Sequence, residues 1–312
     1  MSKTAPFAVA LTGILPRAIR RGNPYSATAQ ISGAKSRKNS GFLRCHALEI
    51  YVLPLEQADI STFRDVRFVL TDMDETLTYQ GRLAASTYAA LENLQAAGVT
   101  VIPVTAAPAG WCDQMARMWP VDGVIGENGG FFFRRHDGGH GIDRYFWHGD
   151  KDRPIITERL AQIGQQVQRA VPSARFADDQ PFRLTSLAFA RPPDHSERAA
   201  ILAALRDASA DVTVNNLWVL GWLGGYDKLA MARRVLLDHY DLDIETDHSA
   251  VLYTGDSTND APMFSFFQHT VGVSTVTAYL DQLPQPPRWI TRGPGGAGFV
   301  EAARAVILSR KS

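Results

Sequence analysis

Asp72-Met73-Asp74-Glu75-Thr76-Leu77 follows directly on Val66-Arg67-Phe68-Val69-Leu70-Thr71. The second of these runs is apolar, rich in β-branched and aromatic residues, and too short for a helix, so it reads as a buried strand. The two aspartates then fall where the strand ends, and in an open parallel sheet that edge is where ligands bind. Carboxylates two residues apart repel each other unless a cation lies between them or one keeps a proton. Mg²⁺ meets the first condition, because it takes carboxylate oxygens and bridges protein to phosphate. An ionised Asp can attack phosphorus, and a protonated one can give its proton to a leaving group and later take one from water. Acidic turns are common by themselves, so the weight of this reading comes from the rest of the chain.

Downstream, Ser86 is placed as the cap of a helix over residues 86–97, with Tyr88, Leu91 and Leu94 at helical spacing and Gly98 as its stop. Residues 99–104 form the next buried strand, and a strand-helix-strand unit predicts a parallel sheet with a right-handed crossover. Thr105-Ala106-Ala107-Pro108 follows. A hydroxyl at a strand end beside a new helix N-terminus suits a phosphate oxygen. Further on, Gly224-Gly225-Tyr226-Asp227-Lys228 opens a helix over residues 228–239. A lysine at a helix start opposes the dipole, and a phosphate with an aspartate offsets that cost. Last comes the strand of residues 251–254 and then Gly255-Asp256-Ser257-Thr258-Asn259-Asp260. Acids and an amide at a strand-to-helix turn make a site for a hard cation, and this is the strongest signal in the chain.

Taken in order, these four stretches resemble the motifs of the haloacid dehalogenase (HAD) superfamily. The second aspartate points to its phosphatase and phosphomutase branches. The resemblance covers residues 66–308. It implies an α/β fold: a doubly wound, Rossmann-like HAD core with a parallel sheet, plus an inserted α+β cap of type IIB. Asp72 would be the nucleophile and Asp74 the acid and base. Thr105 and Lys228 would hold phosphoryl oxygens, with Asn259 orienting Lys228 or the phosphate. Mg²⁺ would sit on Asp72, the backbone carbonyl of Asp74, and Asp256, with Asp260 in or next to that shell. The activity implied is a Mg²⁺-dependent phosphatase acting through an aspartyl-phosphate on a small phosphorylated metabolite, a sugar phosphate being typical of type IIB members. A phosphosugar mutase is the alternative within the fold, and a catalytically weakened metabolite-binding module is the alternative outside it. The second alternative is motivated by Ala106-Ala107, where type II members similar to this chain read Gly-Arg. Whether a cap residue such as Arg134 or Arg183 makes up for that arginine is a question the sequence poses.

The insert is expected over residues 129–221, from Gly129 after the Gly126-Glu127-Asn128 segment. Strands are expected at residues 131–134, 145–148, 183–190 and 213–220, and helices at 154–170 and 196–208. His136, His140, His148, Asp178 and Asp179 are its candidate substrate contacts. The core takes residues 46–128 and 222–312, and a closing helix is expected over residues 300–309.

Lys and Arg number 32, as do Asp and Glu, but eight of the basic residues precede the first acid, Glu49. The rest of the chain holds 24 basic against 32 acidic residues, which argues against a nucleic-acid partner. Residues 1–45 read as a disordered basic tail. No apolar run is long enough to span a membrane. Cys45 and Cys112 form neither a disulfide framework nor a metal spacing, and a cytoplasmic setting is expected.

Overall fold

The computed structural model describes residues 52–215 and 217–311, so the basic tail lies outside the described residues. Six strands form one parallel sheet: β1 (Leu53–Pro54), β2 (Phe68–Thr71), β5 (Thr100–Pro103), β12 (Val251–Gly255), β13 (His269–Gly272) and β14 (Trp289–Ile290). Their order is β1-β14-β13-β12-β2-β5, and every pairing is parallel. Side chains alternate across this sheet as the pleat requires. Val69, Val101, Leu252 and Val271 face α1 (Ala85–Ala96), α2 (Ala109–Met118) and α7 (Gly295–Ser309). Phe68, Leu70, Ile102 and Tyr253 face α5 (Lys228–Tyr240) and α6 (Ala261–Phe266). Apolar residues on both faces of each strand explain the continuous hydrophobic runs in the sequence, and the layering is the doubly wound one expected.

Between β2 and α1 the chain makes a small hairpin, β3 (Thr78–Tyr79) with β4 (Arg82–Leu83). The helix that follows starts one residue before Ser86, and no side chain caps it. Gly98, at φ +72°, stops it as expected. The closing helix begins five residues earlier than its apolar spacing suggested. Gly295 opens it at φ +50°, and Gly296 gives room for close packing: a Cβ there would lie 2.1 Å from Thr87 Oγ1.

After β5 comes β6 (Val124–Gly126), joined to the sheet edge by a parallel bridge between Val104 and Ile125. The hairpin β7 (Phe131–Arg135) and β8 (Ile142–Phe146) adds to β6 in antiparallel sense. Phe131 and Phe133 pack into the same core as α1 and α2. This hairpin lies within residues 129–221, the segment expected to be the insert, and yet it packs on the core. The rest of that segment holds α3 (Arg153–Ala170), α4 (His195–Asp207) and a sheet in which β11 (Trp218–Trp222) lies between β10 (Asp211–Val214) and β9 (Ser186–Ala190), antiparallel to both. The strand expected over residues 213–220 is in fact two: β10 turns back into β11. β9 and β11 have two distinct faces. Leu187, Phe189 and Val219 pack under the helices, while Ala188, Leu220 and Trp222 cluster with Tyr226 and with Ala106 of the core. One face of the insert thus lies directly on the loop after β5.

Candidate active site

Register brings the chemistry together. Thr71 pairs with Pro103 on one side and Thr254 on the other, so Asp72, Thr105 and Asp256 all emerge at one level of the sheet's carboxyl edge. The turn at Asp72 is tight: the Met73 carbonyl accepts from the amides of Thr76, Leu77 and Thr78. Glu75 is held at φ +57° in that turn.

Lys228 lies across the sheet edge from Asp72. Asp227 caps α5 by accepting from the Ala230 amide at 2.7 Å, and this fixes the first turn from which Lys228 projects. Its ammonium donates to Asp72 Oδ1 and to Asp260 Oδ1, each at 2.7 Å, and its side chain is 2% exposed. Burial works to lower the Lys228 pKa, but Asp260 and Asp72 outweigh it and hold it above its ordinary value. Asp260 is fully engaged. Besides Lys228, it accepts from Tyr253 Oη at 2.5 Å and from the amides of Asp256 and Ser257 at 3.0 and 3.1 Å.

Asp256 is the opposite case. Its carboxylate is buried, and the hydrogen bond it accepts is a long one, 3.5 Å from Thr76 Oγ1. Burial, then the charges of Asp72 and Asp260, push its pKa up to about 9. Burial likewise raises Asp72 to about 7 against the pull of Lys228. Oxygens of Asp72, Asp256 and Asp260 come within 4.8 Å of one another. Three buried carboxylates against one ammonium leave negative charge that only protons or a cation can relieve. An all-oxygen set with an open carboxylate fits a hard divalent cation such as Mg²⁺. Asp74 stands two residues from Asp72 on the cavity wall, and burial raises it to about 6, a value suited to an acid that also acts as a base near neutral pH.

Thr105 is fully buried, and its Oγ1 accepts from the Ala107 amide at 3.0 Å. Asn259 lies on the cavity wall, where its carbonyl oxygen accepts from Ser257 Oγ at 2.7 Å; no hydrogen bond pairs it with Lys228. The cavity, about 430 Å³, is roofed by Asn215 and Leu217 at the β10–β11 turn and walled by Glu75, Thr275 and Tyr279.

The insert's expected contacts are elsewhere. His136 pairs with Asp143 on the β7–β8 hairpin, and His148 engages the Leu223 carbonyl. Asp179 forms a buried pair with Arg183. None of His136, His140, His148, Asp178 and Asp179 lines the cavity. Polar side chains in an insert of unknown topology carry no signal of which face they take, and the roofing turn was hidden inside what reads as one strand.

Two residues gain importance from the structure. Glu127, fully buried, accepts from the amides of Ala109, Leu184 and Thr185 and from the hydroxyls of Thr185 and Ser186, at 2.7–3.1 Å. The glycines after it let the loop through: a Cβ on Gly129 would meet the Asp227 carbonyl at 2.4 Å, and one on Gly130 would meet Thr185 Oγ1 at 2.0 Å. Arg183 donates to Asp179 through Nε and Nη2 and to the Ala106 carbonyl through Nη1. It does reach the loop that lacks an arginine, but its charge is already matched by Asp179.

No family model matches the chain. A phosphoglycolate phosphatase of Methanoculleus marisnigri is 26% identical over 246 residues, spanning 77% of this chain and 96% of that protein. Among solved structures, Thermoplasma acidophilum protein 0175 superimposes with a TM-score of 0.60 at 18% identity, covering 78% of this chain and 99% of its own. A HAD subclass IIB sugar phosphatase gives a TM-score of 0.55 at 15% identity, covering 78% and 100%.

Proposed function

Starting from a chain with the haloacid dehalogenase fold and a subclass IIB cap, we propose that it is a phosphomonoesterase. In this reading it hydrolyses a small phosphorylated metabolite with an uncharged, hydroxyl-rich leaving group, in the manner of a sugar phosphate. The observation that carries it is the buried Lys228 ammonium, 2.7 Å from both Asp72 and Asp260, with Asp74 beside it and Asp256 left open.

Asp72 attacks phosphorus in line, so a bond from its carboxylate to phosphorus forms as the ester P–O bond breaks. Asp74 gives its proton to the departing oxygen. It then takes a proton from the water that attacks the aspartyl-phosphate, which releases inorganic phosphate and restores both acids. Lys228 and the Thr105 hydroxyl hold phosphoryl oxygens. Thr105 already accepts from the Ala107 amide, so its own hydrogen remains to donate. Asp72 and Asp256, with the carbonyl of Asp74, would hold Mg²⁺, which when bound supplies positive charge opposite the phosphoryl oxygens. Asp260, with four donors on its two oxygens, positions Lys228 and the loop rather than offering a free ligand oxygen. The leaving group faces Asn215, Thr275, Tyr279 and the Glu75 carboxylate, and among the described residues no Lys, Arg or His lines the cavity beside them, Lys228 lying behind Asp72 at the phosphoryl end. A second anion, such as the carboxylate of phosphoglycolate, would meet Glu75 there with no cation to balance it.

The test is phosphate release from a panel of sugar monophosphates and phosphoglycolate in Mg²⁺, with Asp72→Asn alongside. Release from sugar phosphates ahead of phosphoglycolate, lost in the variant, is the expected result. Isomerised phosphosugar without free phosphate would replace the reading by a mutase. Binding without turnover would replace it by a binding module.

A further inference from the structure

The peptide unit joining Ala106 to Ala107 is held at both ends. Its N–H, on Ala107, donates to Thr105 Oγ1 at 3.0 Å. Its C=O, on Ala106, accepts from Arg183 Nη1 at 3.0 Å. Arg183 comes from the insert, just before β9, and its side chain is 1% exposed. Nε and Nη2 grip the two oxygens of Asp179 at 3.0 and 2.7 Å, and Nη1 also donates to Ser186 Oγ at 3.2 Å. Ser186 Oγ in turn donates to Glu127 of the core at 2.7 Å. A planar guanidinium satisfies these directions at once, where the ammonium of a lysine does not.

Resting on the proposed phosphatase reading, which puts a phosphoryl oxygen against Thr105, we propose that Arg183 is a positioning residue that makes the phosphoryl cradle depend on cap docking. It holds the carbonyl of Ala106, a residue that lines the cavity. The Thr105 hydroxyl and the Ala106 N–H are then presented together to the phosphoryl group. Arg183 and Asp179 both belong to the insert, so the Ala106 carbonyl is held only while the insert lies on the loop, whereas Thr105 and Ala107 on either side are also tied to Ile125, Asn128 and Glu127. The arginine missing at position 107 is thereby replaced in its ordering role and not in its charge, which Asp179 neutralises.

The experiment compares Arg183→Lys, Arg183→Met and wild type in two measurements. The first is kcat and KM for a sugar phosphate and for p-nitrophenyl phosphate. Misplacing a reacting group by about 1 Å costs roughly 10²-fold in rate. Both variants should therefore lose kcat by about that factor, equally for the two substrates, with KM little changed. The second is amide hydrogen exchange, which needs no turnover. Residues 105–109 should lose protection in both variants while α3 and α4 keep theirs. Unchanged kcat in Arg183→Lys overturns the proposal, as does a loss of protection spread evenly over the insert, because Arg183 would then only glue the cap. If wild type hydrolyses no phosphomonoester, the phosphatase reading fails, and exchange at residues 105–109 still decides whether Arg183 holds the loop.

Discussion

Two buried charged clusters meet at this sheet edge, and they are built in opposite ways. Around Glu127 and Arg183 every charged group has its partners: Glu127 accepts five hydrogen bonds, and Arg183 spans Asp179, Ser186 and the Ala106 carbonyl. Around Asp72 the cluster is left short. Lys228 bridges two carboxylates, Asp260 is saturated, and Asp256 has one long hydroxyl contact. Buried polar groups that are fully satisfied fix a structure, while unsatisfied ones cost free energy and persist where a ligand completes them. The first cluster reads as a joint and the second as a site.

The largest expected effect breaks the second cluster. Asp256→Asn removes the open carboxylate, and it should abolish both Mg²⁺-dependent hydrolysis and the stabilisation that Mg²⁺ gives the wild type. At a concentration 100 times its dissociation constant, a ligand that binds only the folded state adds about 2.7 kcal/mol. Thermal unfolding with Mg²⁺ and with chelator should show that gain in wild type and none in the variant. A full gain in Asp256→Asn would place the cation elsewhere.

Next in size is the joint. Glu127→Gln turns one acceptor oxygen into a donor facing N–H and O–H groups, and it should cost about 1.5–3 kcal/mol, the range for hydrogen bonds to charged groups. Urea unfolding measures this directly. Stability within about 0.5 kcal/mol of wild type, the usual range for surface changes, would mean the five contacts are incidental and the contrast between the clusters is false.

A smaller effect is expected at Asn259. It lines the cavity with Asp256 yet is hydrogen-bonded to neither Lys228 nor Asp72, so Asn259→Ala should raise KM for the sugar phosphate by about 10-fold, equivalent to roughly 1.4 kcal/mol of binding, and leave kcat nearly unchanged. A loss confined to kcat would return Asn259 to a role on Lys228.

The open cluster was legible in the sequence because its residues sit at strand ends, where a hydrophobic run followed by acids fixes both the topology and the position. Asp72, Thr105 and Asp256 needed only the parallel register to meet. The joint was not legible. Glu127 stands in a glycine-flanked turn, and its partners Leu184, Thr185 and Ser186 lie 57–59 residues on, inside a strand read as starting at residue 183. Nothing local tells a glutamate that it will be buried at positive φ, +46° here. The β10–β11 turn was missed for a related reason. Residues 213–220 keep enough β-branched and apolar character to read as one strand, and Asn215 declares itself only by accepting from the amides of Leu217 and Trp218 to make the turn.

The smallest prediction asks whether an unsatisfied buried atom marks chemistry wherever it occurs. His269, first residue of β13, is buried between the rings of Phe63 and Trp289, at 5.7 and 6.2 Å. Its Nδ1 has no partner among the described residues, and it lies outside the cavity. Burial first, and then Arg288, hold its pKa below the ordinary imidazole value, with Asp65 opposing. Above about pH 6.5, the value for a free imidazole, the ring is neutral in the folded and unfolded chain alike and its contribution is complete. As pH falls below that point the unfolded chain takes up a proton that the folded one refuses. Stability therefore drops until the folded pKa is reached, by no more than about 1.4 kcal/mol per pH unit. His269→Phe keeps an aromatic ring between Phe63 and Trp289 and removes the proton site. The wild-type-minus-variant difference in unfolding free energy should fall between pH 6.5 and 5 and be flat above pH 7, with hydrolysis unchanged. A flat difference across the whole range would mean that the buried ring takes up its proton as readily as in the unfolded chain. A loss of hydrolysis would carry the open cluster's logic to a site well outside it.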